Sequence, residues 1–330
     1  MLEAAAEAHV NIALVKYWGK RDVSLNLPIK NSIAMTLDKL SVTMHVEFRD
    51  DLSQDQLVLN STRENGAARD RVARFLDHIR GLAKESKHAR VMSVSRVPVA
   101  SGLASSAAAF AALSLAASRA LGLRLQPYEL SRLARRGSGS AARSIYGGFS
   151  EWVAGIRSDG EDSYAHQLLG EQEWDLCALV VLVNAPQKSV SSREGMIRVA
   201  KTSPFFAGWL ASLDNDLDMM RRAIHRRDFE MLGETAERNA LKMHATTLGA
   251  NPPFSYWCGA TLNVMLRVSD LRRSGLMGFA TIDAGPHVVV LCRRDQTALL
   301  TQEMRNVPGV ADVIQCGPGP GVRTVPVCVL

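Results

Sequence analysis

The segment Leu176–Asn184 reads LCALVVLVN, an almost unbroken apolar run closed by an asparagine. A run of that length, rich in β-branched residues, is the pattern of a central strand buried on both faces. Strands and helical stretches flank it, so the chain reads as mixed α+β. Ala8–Tyr17 reads as a strand interrupted by Asn11 and Lys16, and Ser41–Phe48 alternates as a half-buried strand should. Leu57–Leu59 suggests a hairpin partner, and Val91–Val97 a further strand. Arg69–Lys84 places Val72, Phe75, Leu76 and Ile79 on one helical face. Past Pro186 the pattern turns helical. Trp209–Arg226 and Asp228–Met243 are separated by one short charged turn, and Phe254–Ser274 reads as a third helix. Gly278–Ile282, Val288–Cys292 and Val322–Val329 then read as strands around a helix at Gln296–Asn306. A chain of 330 residues suggests two domains or one large mixed domain. The boundary is expected near residue 185, dividing 1–185 from 186–330.

Composition removes several classes. Hydrophobic residues are 47% and charged residues 22%, which excludes a disordered or fibrous chain. The longest nearly uncharged stretch, Ala104–Ser118, is broken by serines and too short to span a bilayer, so no membrane association is expected. Glu3 and Glu7 precede any apolar run, unlike a signal peptide. Five cysteines without a C-x-x-C pair point to a reducing, cytoplasmic setting. The net charge of +6 admits a nucleic-acid binder or an enzyme for small polyanions. The 39 basic residues are scattered, and aromatics are only 6%, so a nucleic-acid partner is not expected.

Small polyanions are favoured by the motifs. Val97–Ala109, VPVASGLASSAAA, follows a strand and opens a helix whose free N–H groups at Ala104, Ser105 and Ser106 would converge on an anion. The same segment also reads as an ordinary serine-capped helix start. Arg136–Gly148, RGSGSAARSIYGG, is a second such loop, with Ser138, Gly139 and Ser140 as donors and Arg143 a turn further on. Together the two loops suggest two phosphorylated ligands. Lys16 lies inside an apolar strand near Tyr17 and Lys20; it either pairs with an anion or snorkels from an edge. Asp283, in IDAGP, is either ordinary turn chemistry or a carboxylate placed to orient a hydroxyl in phosphoryl transfer. KSVSSREGM at 188–196 brings Ser191, Ser192 and Arg193 together, with a helix N-cap as the plainer account. His244 reads as a structural histidine, and neither zinc-ligand spacing nor a G-x-S-x-G elbow occurs.

As a set these segments resemble the diphosphomevalonate decarboxylases of the GHMP small-molecule kinase superfamily. The matching pieces are NIALVKYWGKRD, LNLP, GLASSAA, RRGSGSAARSIYGGF, VSSREGM, MHATTL with NPP, and IDAGP, in the family's order over nearly the whole chain. The resemblance implies a GHMP kinase fold with an N-terminal lobe like domain 2 of ribosomal protein S5. A ferredoxin-like C-terminal lobe would follow, with the active-site cleft between them. It implies ATP-dependent conversion of mevalonate 5-diphosphate to isopentenyl diphosphate, phosphate, ADP and CO₂, with Mg²⁺, in a cytoplasmic homodimer. Carried over by residue, Ser93, Gly102, Leu103, Ala104, Ser105 and Ser106 would hold ATP, with Ser105 or Ser106 near Mg²⁺. Asp283 would orient or deprotonate the 3-hydroxyl beside Lys16, with Arg143 reaching a carboxylate or phosphate. Tyr17, Lys20, Ser138, Gly139 and Ser140 would bind the 5-diphosphate, completed by Ser192 and Arg193.

Three positions depart from the family pattern: Val99 in place of a polar residue, Lys30 adding a charge near the pocket mouth, and His287 where Asn is common. They bear on substrate choice. The alternatives are a decarboxylase of mevalonate 5-phosphate, a mevalonate 3-kinase, or a silent binding protein of the same fold. Retention of Lys16, Asp283 and both loops weighs against the last.

Overall fold

A computed structural model describes residues 2–98, 105–186 and 188–327. The first strands are β1 (Glu3–Val15), β2 (Lys20–Asp22), β3 (Leu27–Pro28), β4 (Ser32–Arg49), β5 (Gln56–Leu59) and β6 (Thr62–Glu64). Helix α1 (Ala67–Ala83) leads to β7 (His88–Ser95), then α2 (Ser105–Ala120) and α3 (Pro127–Gly137). Strands β8 (Phe149–Trp152), β9 (Ala165–Leu169) and β10 (Leu176–Val183) precede the helices α4 (Ser192–Thr202), α5 (Phe206–Arg226), α6 (Phe229–Leu248) and α7 (Gly259–Arg273). The chain closes with β11 (Gly278–Thr281), β12 (Val288–Arg293), α8 (Thr297–Arg305), β13 (Val310–Cys316) and β14 (Arg323–Val325).

The apolar run is β10, and its alternating side chains feed two different cores. Leu176, Ala178 and Val180 join the core beneath β1, β4 and α2, whereas Cys177, Leu179, Val181 and Val183 join a second core with Val264 and Val268 of α7 and Leu300 of α8. A strand that walls two cores needs apolar residues at every position, which is why it carries no alternation. Full burial of each such valine or leucine contributes about 1.5–3 kcal/mol. By pairing, β10 lies in a four-stranded antiparallel sheet of order β11-β12-β10-β13. The larger sheet runs β14-β1-β4-β7-β5-β6, with β8 pairing β4 and β9 pairing β8. The boundary expected near residue 185 lies just after β10, which pairs in the second sheet yet feeds both cores. β10 belongs to the second sheet, while β14 returns to pair with β1 and is tied to it by the Arg323–Glu7 ion pair. A strand buried on both faces gives no sequence signal of which sheet owns it.

Helix α1 buries Val72, Phe75, Leu76 and Ile79 as its periodicity predicts. α2 is lined with buried alanines, so its backbone can approach β1 and β4 closely. The turn between α5 and α6 is two residues, Arg227 at φ 55° and Asp228, which caps α6 by accepting from the Met231 N–H. Two expectations need correction. α7 starts at Gly259 rather than Phe254, and β13 went unread because only part of it is buried on the sheet edge. No helix among the described residues is long and apolar enough to cross a membrane.

Candidate active site

A cleft of about 720 Å³ opens where the end of β1, the N-termini of α2 and α4, and the end of β11 converge. The described side chains lining it include six cations, Lys16, Lys20, Arg71, Arg143, Lys188 and Arg193, against one carboxylate, Asp283. That imbalance is the main electrostatic fact about the site, because uncompensated charge in a recess is costly without an anion.

Lys16 directly follows β1 with its side chain 2% exposed, so the buried, paired alternative is the one realised. Its ammonium donates to Asp283 Oδ1 at 2.7 Å, to Thr281 Oγ1 at 2.8 Å and to the Ala13 carbonyl at 2.7 Å. Three donors meet three acceptors, leaving no N–H for a ligand. Burial lowers the Lys16 pKa, while Asp283 pulls the other way. The Lys16 backbone N–H donates to Asn239 Oδ1 at 2.8 Å, and Asn239 Nδ2 donates to the buried Asp216 at 2.7 Å. His244 lies behind the same point, its Nε2 3.3 Å from the Ile282 carbonyl. Burial, then Lys16, pushes its pKa down to about 3, so it is a neutral structural group, as its sequence position suggested. Asp283 is held by these elements yet remains partly open, its side chain 27% exposed.

Arg143 is fully enclosed. Its Nε and Nη2 donate to Asn11 Oδ1 at 3.2 Å each, and its Nη1 donates to Ser32 Oγ. Burial lowers its pKa to about 10 against the pull of Asp283 and Tyr17. The residues expected to open a helix after Ser138 form a 3₁₀ turn, Gly139–Ile145, which aims Arg143 inward. Ser106 Oγ and Ser138 Oγ lie 3.2 Å apart, so the two glycine-serine loops meet at one place.

The other end of the cleft is less complete. The Tyr17 hydroxyl is buried without a partner among the described residues, and burial pushes its pKa up. Its ring sits against Gly139, where an added Cβ would come within 2.8 Å of it. Lys20 donates to Asn26 Oδ1, and its pKa is lowered to about 8 by burial and then by Arg193 and Arg71. Ser191 caps α4 by accepting from the Glu194 N–H, which sets Ser192 and Arg193 on its first turn at the cleft. The helix-cap account is therefore realised, and it places Ser192 and Arg193 at the cleft. Lys188 reaches across to the Ala284 carbonyl at 3.1 Å.

Of the residues expected from sequence, Lys16, Tyr17, Lys20, Ser105, Ser106, Ser138, Gly139, Ser140, Arg143, Ser192, Arg193 and Asp283 all line the cleft. Gly102, Leu103 and Ala104, with Val99, lie outside the described residues. Ser93 is buried in β7 between β4 and β5 and is not among the described residues lining the cleft, whereas Ser95, two residues on, is. Lys30 is not at the cleft but paired with Asp214 at 2.7 Å, and the His287 ring accepts from the Val183 N–H at 3.0 Å. Sequence reasoning missed Arg71, Asn11, Ser32, Thr281, Asn239 and Asp216. Of these Asn11 carried a signal as a polar break in an apolar strand, and Arg71 as a cation beside the apolar face of α1.

Residues 8–165 match the model of the diphosphomevalonate decarboxylase-like N-terminal domain, and residues 178–316 that of the mevalonate 5-diphosphate decarboxylase C-terminal domain. The human diphosphomevalonate decarboxylase is 36% identical over 311 residues, covering 88% of this chain and 77% of that protein. The crystal structure of mevalonate diphosphate decarboxylase from Staphylococcus aureus superposes with a TM-score of 0.94 at 40% identity, covering 98% of both chains. The structure of MDDEF in complex with MVAPP, AMPPCP and magnesium gives a TM-score of 0.93 at 41% identity over 98% of both. With both halves matched in order and the whole length superposed, the chain belongs to the diphosphomevalonate decarboxylase family and has its GHMP kinase fold.

Proposed function

We propose that this chain converts mevalonate 5-diphosphate and ATP to isopentenyl diphosphate, ADP, phosphate and CO₂. The observation that carries this reading is how the cleft's charge is sorted. Lys20, Arg71 and Arg193 act on one another at one end, while Lys16, Arg143 and Asp283 do so at the other. Mevalonate 5-diphosphate has the complementary form, a diphosphate at one end and a hydroxyl and carboxylate at the other.

With Asp283 Oδ1 held by Lys16, the carboxylate's second oxygen is left to accept the 3-hydroxyl proton as the substrate's 3-oxygen attacks the γ-phosphoryl group of ATP. ADP leaves. The C3–O bond then breaks with its electron pair going to phosphate, and the C1–C2 pair becomes the C2=C3 double bond as CO₂ departs. Lys16 acts through Asp283, orienting it, rather than on the substrate. Arg143, fixed by Asn11 and Ser32, holds the carboxylate end. Tyr17, Lys20, the Ser138–Ser140 turn, Ser192 and Arg193 receive the 5-diphosphate. Lys188, beside Asp283, offers charge to the transferring phosphoryl group.

Gly102, Leu103, Ala104, Ser105 and Ser106 would hold the nucleotide phosphates at the start of α2. The donor set fits a nucleotide-borne magnesium ion. Among the described residues no group of three His, Cys, Asp or Glu side chains could hold a metal, whereas the Ser105 and Ser106 hydroxyls and Asp283 reach the cleft. Magnesium, when bound, would neutralise charge on the transferring phosphoryl group. We further propose a cytoplasmic enzyme, a reading supported by four free thiols among the described cysteines. That it is a homodimer rests on family resemblance alone, and sedimentation would test it.

ADP release and CO₂ should be followed in parallel with mevalonate, its 5-phosphate and its 5-diphosphate. Turnover with both products is expected for the diphosphate. No turnover of the diphosphate overturns the reading, ADP without CO₂ makes the chain a kinase, and preference for the 5-phosphate reassigns the substrate.

A further inference from the structure

Beyond the Lys20 end of the cleft lies a second cavity of about 310 Å³. Asn26, Arg71 and Arg193 border both spaces, whereas Arg74, His78 and Arg136 border only the outer one. Arg71, Arg74 and His78 recur at helical spacing along one face of α1, and Arg136 faces them from the last turn of α3. No acidic side chain is among the described residues lining this cavity. The acids next to it are engaged elsewhere: Asp70 with Arg69, Asp77 with Arg80, and Asp22 with the Ser24 hydroxyl and the Leu25 N–H.

Four guanidinium groups thus share a recess without a carboxylate among the described residues. Arg71 Nη2 donates to the Gly137 carbonyl at 2.8 Å, but the Nε atoms of both Arg71 and Arg136 are buried without a partner among the described residues. Arg136 Nη2 points at His78 Nε2 at 3.3 Å. Since a guanidinium only donates, that nitrogen accepts, and His78 is held neutral. Arg74, one turn before His78 and exposed, has its fork free to turn into the cavity. Unfilled N–H donors, planar forks and a net positive lining are what a phosphate group satisfies, and this many cations match a diphosphate better than a single phosphate.

We propose that the outer cavity is a second diphosphate-binding site, built by Arg74, His78 and Arg136 and sharing Arg71 and Arg193 with the cleft. The inference rests on the cleft's being the site of mevalonate 5-diphosphate. Because the two spaces share two arginines, a diphosphate outside draws on charge that the inner one also uses. Filling the outer site therefore loosens the hold on the inner ligand, and the coupling is reciprocal.

The test uses inorganic pyrophosphate as the probe and the full chain loaded with mevalonate 5-diphosphate without nucleotide, so that nothing turns over. Binding is read by calorimetry and by the ring signals of His78, assigned with His78→Gln. One further equivalent should bind, and His78 should shift toward its protonated form at neutral pH, because the anion offsets Arg136 and Arg74 while Asp77 stays on Arg80. Arg74→Gln with Arg136→Gln should weaken this event roughly tenfold or more. Binding of mevalonate 5-diphosphate by the same variant should change by less than about twofold, since neither residue lines the cleft. Arg74→Gln alone, at an exposed position, keeps the test valid if the double variant folds poorly. Pyrophosphate that only displaces the substrate, that leaves His78 unmoved, or that binds the variants as well as the parent overturns the outer site. If mevalonate 5-diphosphate does not bind at all, the proposed function fails, and the His78 shift still decides the outer site by itself.

Discussion

The Lys16 end and the Lys20 end of the cleft are both rich in positive charge, but they accommodate it in opposite ways. Lys16 is enclosed and has an acceptor for each of its N–H groups, and Arg143 beside it is clamped by Asn11 and Ser32. Among the described residues Lys20 has one neutral acceptor and the neighbouring Tyr17 hydroxyl has no partner, and burial, then Arg193 and Arg71, disfavours the Lys20 charge. The first end is built before any ligand arrives, as a group that acts in a transition state should be, since it then needs no reorganisation during the reaction. The second is incomplete by itself and is completed by an anion. Chemistry and binding are thereby assigned to different ends, and substitutions should separate them.

The largest effect is expected at Asp283. Asp283→Ala removes the only carboxylate among the described residues lining the cleft, and turnover should fall about a thousandfold or more, the scale of a positioned general base. Binding of ATP and of mevalonate 5-diphosphate, measured by calorimetry, should persist. Loss of the circular dichroism signal would instead mean that Asp283 serves the turn before β12.

A smaller effect, of a different kind, is expected at Lys20. Its folded pKa, about 8, lies below its ordinary value of 10.5, so the folded ligand-free protein disfavours its charged form. That penalty is present below pH 8 and fades as pH rises from about 8 toward 10.5, so ligand-free stability should gain across that window. Affinity moves oppositely, because deprotonation removes a charge that meets the diphosphate. KM for mevalonate 5-diphosphate should therefore climb above pH 8 with kcat little changed. Lys20→Met should show a KM raised about 10–100-fold and no such climb. A pH-dependent kcat in the parent with flat KM would break the division between the two ends.

What could be read from the sequence follows the same division. Charged residues set in apolar or glycine-rich surroundings stand out, so Lys16, Lys20, Arg143 and Asp283 were all visible, as were the strands whose burial alternates or is complete. Residues that hold those groups in place were not. Asn239 and Asp216 sit on helices where polar residues ordinarily face solvent, and Asn239 meets Lys16 from 223 positions away. Thr281 is an unremarkable strand threonine until Lys16, 265 positions earlier, donates to it. β13 escaped because an edge strand with Asp312 and Gln315 turned outward lacks a continuous apolar face. The start of α7 was misplaced because Trp257 and Cys258 extend its apolar pattern beyond the point where the backbone turns helical.

Asn239 gives the smallest and most discriminating test. Asn239→Ala deletes the acceptor of the Lys16 backbone N–H and strips Asp216 of one donor, leaving it with Lys242 and, more distantly, Arg238. An unmet buried N–H costs about 1–3 kcal/mol, so a lower melting temperature is expected whatever the residue's role. The role shows in the kinetics. If the Lys16 end is a preformed unit, loosening the end of β1 displaces the Lys16 ammonium and with it Asp283, and kcat should fall about 5–20-fold. KM for mevalonate 5-diphosphate should stay within about twofold, because Lys20 and Arg193 make no contact with Asn239. The opposite pattern, an unchanged kcat with a raised KM, would mean that β1 carries its disturbance through Tyr17 to the diphosphate end, and that the two ends are one mechanical unit.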